Sequence, residues 1–321
     1  MFWPSADSAG LTRRRQRATI CPSMDSETAH DPSEAPPRRR MPTVMTLLAC
    51  EVRKHARAKM PYIGLGAVAV MAALWPRTLT YYTDVSLSRP LTGFEKLVQT
   101  MQAMAGMLLP VFVTIFAATL VAGETSHRTL HYVLCRPISR MRLLTAKFLT
   151  ALAYAALLLG AGAGVTIAVV AATHGYADLG GMAEWGAMRM VDPRHVVAQF
   201  WRQFALTLAM TLPPLFATAA FAVFFSVLFR NVGAAVGTAA GLLVALEPLK
   251  QLISLRRGVT IAPLVWSNYF SVPLELVNKF AAGTPNRWDM PETWRAMIIP
   301  AVWFVVFAAA AGYIMKRRDW A

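Results

Sequence analysis

The sequence predicts an all-α membrane protein with six transmembrane helices and both termini in the cytoplasm. Three observations carry that prediction. The chain of 321 residues is 56% hydrophobic and only 15% charged, with a mean hydropathy of +0.43, whereas soluble domains are about 25% charged. Its apolar residues gather in long runs, and two of these, residues 97–123 and 148–174, contain no Asp, Glu, Lys or Arg. The basic residues, which leave a net charge of +15, stand at the ends of those runs instead of forming the soluble basic face that nucleic-acid binding needs. No nucleic-acid partner is expected.

Other classes are excluded by what the motifs lack. Cys21, Cys50 and Cys135 are far apart and form no Cys-x-x-Cys pair. No Gly-x-x-x-x-Gly-Lys-Ser/Thr loop is present, so ATP hydrolysis by the P-loop route is not expected of this chain.

Residues 1–42 carry two arginine clusters around a Ser/Asp/Glu/Pro stretch, a composition that cannot bury enough apolar surface to order itself. They read as a disordered basic cytoplasmic tail without the apolar core and cleavage site of a secretory signal. Met1, Met24 and Met41 are all plausible starts. Residues 43–59 then read as an amphipathic interface helix capped by Thr43, with Val44, Leu47, Leu48 and Val52 on one side and Glu51, Arg53, Lys54, Arg57 and Lys59 elsewhere. A basic helix of this kind suits a membrane surface.

The first span reads as residues 60–75, about 24 Å of helix and short for a hydrocarbon core of about 30 Å. The second lies within 97–123, with Pro110 placed to kink it. Within the third, 148–174, Gly160, Gly162 and Gly164 would let another helix come close. The fourth, 203–229, has Pro213 and Pro214 as a bend. A fifth, 231–246, is short and ends at Glu247 and Pro248, so it either stops near the far interface or breaks and re-enters. Residues 261–281, with Trp266, Tyr269 and Phe270, suit the headgroup level. The sixth, 296–315, is bounded by Arg295 and Lys316-Arg317-Arg318.

Six spans put both ends on one side. With those ends inside, the inner segments hold 20 of the 32 Lys and Arg, and the short loop between spans two and three is dense in them, which is what fixes orientation.

That loop, residues 124–147, is charged and helix-capable between two charge-free spans. Thr125 or Ser126 can cap a helix through Thr129, Leu130, Val133 and Leu134. Pro137 then breaks it and restricts Arg136, and a second helix can start after Ser139. Such a loop is short, stiff and continuous with two spans, as an element that receives a push from a soluble partner must be.

Here the chain resembles a known family, the membrane subunit of ATP-binding-cassette transporters of the ABC-2 permease type. The resemblance rests on Ala122-Gly123-Glu124, Thr129-Leu130, Arg136-Pro137-Ile138-Ser139-Arg140, Leu143-Leu144 and Lys147, with Glu51 and its basic neighbours before the first span. It departs at Arg128, where the family usually has a small residue. The resemblance implies a multi-pass subunit of the bacterial inner membrane, one half of an exporter, whose domain covers 43–321. It further implies two copies of a separate ATPase that binds ATP and Mg, a second permease subunit in a homo- or heterodimer, and room for a periplasmic accessory protein. No cofactor is expected in this chain, and no catalytic or metal site. Glu51, Arg53, Lys54, Glu124, Thr129, Arg136, Pro137, Arg140 and Lys147 would form the partner interface.

Individual residues have plainer readings beside these. Glu124 is either a coupling carboxylate paired with Arg53 or Lys54, or a charge marking the membrane edge. Arg136 and Arg140 meet either an acidic partner or anionic headgroups. His127, His131 and Cys135 share a helix face, yet three ligands from one short helix make a poor metal site. Glu247 either lines a substrate path or sits in the outer headgroups. A secondary transporter or channel, or a scaffold that only tethers an ATPase, are the competing functions.

Overall fold

The structure is a computed structural model that describes residues 43–86, 91–126, 139–176, 193–257, 262–281 and 291–318. All regular structure among these residues is helical. Helix α1 (Val44–Ala56) precedes α2 (Met60–Ser86), α3 (Gly93–Ala103), a π-helical turn (Met104–Leu108) and α4 (Leu109–Ser126). Then follow α5 (Arg140–Thr173), α6 (Pro193–Leu228), α7 (Val232–Arg257), two 3-10 turns (Ala262–Leu264 and Trp266–Tyr269), α8 (Val272–Ala281) and α9 (Pro291–Arg317).

Among the described residues six helical stretches are long and apolar enough to cross a membrane, namely Met60–Leu79, Gly93–Ser126, Arg140–Thr173, Val197–Leu228, Val232–Lys250 and Pro291–Arg317. The chain is a polytopic helical membrane protein. Its core lies where α4, α5 and α6 meet, with α2 against α5, α7 against α4 and α6, and α9 against α6. Leu97, Met101, Met104, Leu109, Leu120, Leu158 and Leu215 are fully or almost fully enclosed there.

Proline marks span ends less often than the sequence suggests. The first span does not end at Trp75 but runs through Pro76. A crossing stretch of 20 residues is about 30 Å long, which removes the shortfall expected of a shorter helix. The fifth does not stop at Glu247; α7 continues through Pro248 to Arg257. Pro213 and Pro214 lie inside α6, within the span expected to contain them. At Pro110 the effect is different. The ring would strike a carbonyl one turn earlier, and the helix widens into the π turn just before it, with the Leu109 N–H donating to the Met104 carbonyl.

The second span also begins earlier than expected. Thr92 and Glu95 form a reciprocal cap: the Glu95 N–H donates to Thr92 Oγ1 at 3.2 Å and the Thr92 N–H to Glu95 Oε2 at 2.9 Å. Of the three glycines in the third span, only Gly162 is closely approached; a Cβ there would stand 3.0 Å from Val68 Cγ1, while Gly160 and Gly164 face open space.

In α1, Val44, Leu47 and Leu48 are half-buried, Val52 and Met45 are exposed, and Glu51 is buried. The rings of Trp266, Tyr269 and Phe270 are buried against the other helices. Trp266 packs on Phe221, Trp303 and Phe307 and donates its indole N–H to Thr218 Oγ1 at 3.1 Å, which satisfies the one polar atom the ring carries into the bundle.

Candidate functional site

Lys147 lies in the second turn of α5 and its side chain is 0% exposed. An ammonium that deep requires partners on all three of its hydrogens. It has them: Glu124 Oε1 at 2.8 Å from the end of α4, Glu51 Oε1 at 3.2 Å from α1, and the Leu120 carbonyl at 2.8 Å. Lys54, about half exposed, completes the cluster from α1 by pairing with Glu124 Oε1. Two carboxylates and two ammonium groups balance in charge. They tie together three helix ends, and two of these flank residues 127–138.

The helices place these groups by simple periodicity. Glu51 and His55 are one turn apart on the inward face of α1, with His55 Nε2 at 3.5 Å from Glu51 Oε2. The His55 ring stands edge-on to Phe116 with centroids 5.1 Å apart, and Phe116 packs on Tyr154 at 4.1 Å. The apolar wall so formed lowers the local dielectric and strengthens each ion pair. Burial pushes the Glu51 carboxyl upward, but the adjacent His55 ring and the charges of Lys147 and Lys54 outweigh it and hold the group at about 2.

Of the residues singled out in the sequence, the structure thus unites Glu51, Lys54, Glu124 and Lys147. The partner expected of Glu124 among Arg53 and Lys54 is Lys54; Arg53 is exposed. Arg140 is used within the chain, donating from Nη1 to the Arg318 carbonyl at 3.2 Å, while the Arg318 guanidinium caps the end of α6 at the Val227 and Leu228 carbonyls. Thr129, Arg136 and Pro137 lie outside the described residues, as do Arg128, His127, His131 and Cys135. Among the described residues no group of three or more His, Cys, Asp or Glu is placed to hold a metal ion.

Glu247 belongs to a second, separate cluster. Its carboxylate is about half exposed and lies 2.8 Å from the ammonium of buried Lys250, which also donates to Ser267 Oγ at 3.0 Å. Sequence reasoning missed Lys250, although its spacing of three from Glu247 was there to read. It also missed Ser226, a residue with no sequence signal, whose Oγ accepts from the backbone N–H groups of Val121 and Ala122 in α4.

Residues 64–321 match the family described as protein of unknown function, DUF2705. The chain belongs to the DUF2705 family. The match takes in Glu124 and Lys147 but begins after α1, and so excludes Glu51 and Lys54. A relative of this DUF2705 member, the uncharacterized protein YhcI of Bacillus subtilis (strain 168), is 27% identical over 216 residues, which are 66% of this chain and 65% of YhcI.

Proposed function

We propose that this chain is the membrane subunit of an ATP-driven transporter of the ABC-2 permease type, an exporter in a bacterial inner membrane. One observation carries the reading: fully buried Lys147 joins α1, the end of the second span and the start of the third into a single charged junction. The two helix ends that flank residues 127–138 are held in one such junction, so a force applied there reaches both spans together. A chain without this purpose has little reason to bury three charges at one helix crossing, since a well-packed apolar crossing is as stable or more so.

In this reading both termini and the loop face the cytoplasm, and two copies of a separate ATPase bind ATP and Mg beneath two permease subunits. The segment 262–281 re-enters the membrane from outside. Its support is depth: Thr218, the partner of Trp266, lies ten residues before Leu228 at the end of α6, which is about 15 Å or half a bilayer core. The segment then returns as α8, which packs against α3 at the other end of the second span.

Purification of the tagged full chain in mild detergent tests the proposal. An ATPase with a P-loop motif is expected at a one-to-one ratio. A lone chain that carries solute flux without ATP would overturn it in favour of a secondary transporter, and an ATPase bound without any flux would leave only a scaffold.

A further inference from the structure

In a regular helix the N–H groups of Val121 and Ala122 point to the carbonyls of Ala117 and Ala118, and the Leu120 carbonyl faces the next turn. In α4 these backbone groups are engaged from the side. Ser226 Oγ of α6 accepts from both N–H groups at 2.9 Å, an arrangement otherwise made by a cap at the start of a helix. Lys147 Nζ of α5 takes the Leu120 carbonyl at 2.8 Å. Side chains inserted into the helical ladder are a recognised cause of bending.

A second observation is independent of the first. Gly123 follows directly, inside the helix, and a Cβ built on it would meet nothing within 4 Å. No close packing asks for glycine there, and glycine in a helix interior costs about 1 kcal/mol relative to alanine. What glycine provides at that position is backbone freedom. Beyond it the last turn is regular in character, with Thr125 Oγ1 donating to the Val121 carbonyl at 2.9 Å, and it carries Glu124.

We propose that residues 120–123 of α4 form a helix joint, held in its present setting by Ser226 and Lys147, about which the terminal turn bearing Glu124 moves relative to the rest of the second span. The purpose of the joint rests on the coupling role given to Glu124 above, whereas its existence does not. Ser226 is then a positioning residue that links the fourth span to the moving turn. When the turn swings, its two N–H groups leave Ser226 and rely on the carbonyls of their own helix alone.

Spin labels at Met107 and Ser126, both exposed on α3–α4, measure the joint directly. The experiment uses the full chain in lipid nanodiscs with its three native cysteines changed to serine. Electron–electron distance measurement is expected to show that Ser226→Ala moves the separation toward the roughly 28 Å of an uninterrupted helix of that length. Gly123→Ala is expected to narrow the distribution. Unchanged distributions in both variants would overturn the joint. The isolated chain suffices for the measurement, so an unchanged distance condemns the joint alone, while failure to find an ATPase condemns the coupling role alone.

Discussion

Lys147 shows how one residue can set the geometry of several. Removing one member of a buried ion pair commonly costs about 3–5 kcal/mol because the other is left uncompensated, and Lys147 has two carboxylates depending on it. The Glu51 carboxyl gives this dependence a pH signature. Its folded value, about 2, lies below its ordinary 4.5, so the unfolded chain takes up a proton first as the pH falls. The stabilisation is therefore complete above about pH 4.5 and disappears toward about pH 2, with a total of about 3 kcal/mol. Thermal unfolding of the solubilised chain should show the advantage of wild type over Glu51→Gln shrinking across that window. A constant advantage would mean that Glu51 is not held as an ion. At this scale the sequence was partly legible. Glu51, Glu124 and Lys147 stood out as charges beside apolar runs, and a pair between Glu124 and Lys54 was among the readings, but the contact of Glu51 with Lys147 across 96 positions could not be read.

Helix existence followed from hydropathy, because a charge-free run of membrane length has few alternatives. Helix ends did not follow as well. Pro76 and Pro248 both lie inside helices, and in membrane spans neighbouring groups can satisfy the backbone that proline frees. In α1 periodicity groups Val44, Leu47, Leu48 and Val52, but it does not show that Glu51 is the residue buried beside Lys147 while Val52 is exposed. Packing between elements is where glycine identity matters, and it separates positions that look alike in sequence. A Cβ at Gly93 would sit 2.1 Å from the Gly175 carbonyl oxygen, a backbone atom at the end of α5, whereas at Gly160 it would meet nothing. Gly93→Ala should lower the unfolding midpoint markedly, and Gly160→Ala should leave it unchanged or raise it by the helix preference of alanine, up to about 1 kcal/mol. Equal effects would show that α3 and α5 are not in close contact.

At the scale of the molecule the six spans enclose a core at α4, α5 and α6 while α2, α7 and α9 keep broad apolar faces outward, with Ile63, Val70, Val244 and Val305 each more than half exposed. Lipid or a second subunit covers such surface in a membrane protein, and α4, α5 and α6 are also the helices that meet at Lys147 and Ser226. A movement that begins at the junction would accordingly enter the core directly. The fold class was legible in the sequence because solvent chemistry dictates it; the junction was not, because it depends on which helices become neighbours. Glu124→Gln provides the most direct test of the coupling claim, since it keeps the shape of the side chain and removes its charge. In a complex with the proposed ATPase, this variant should retain the partner and lower ATP turnover about tenfold, the effect of roughly 1.4 kcal/mol on a barrier. An intact complex with turnover equal to wild type would contradict the claim that the buried junction carries the signal.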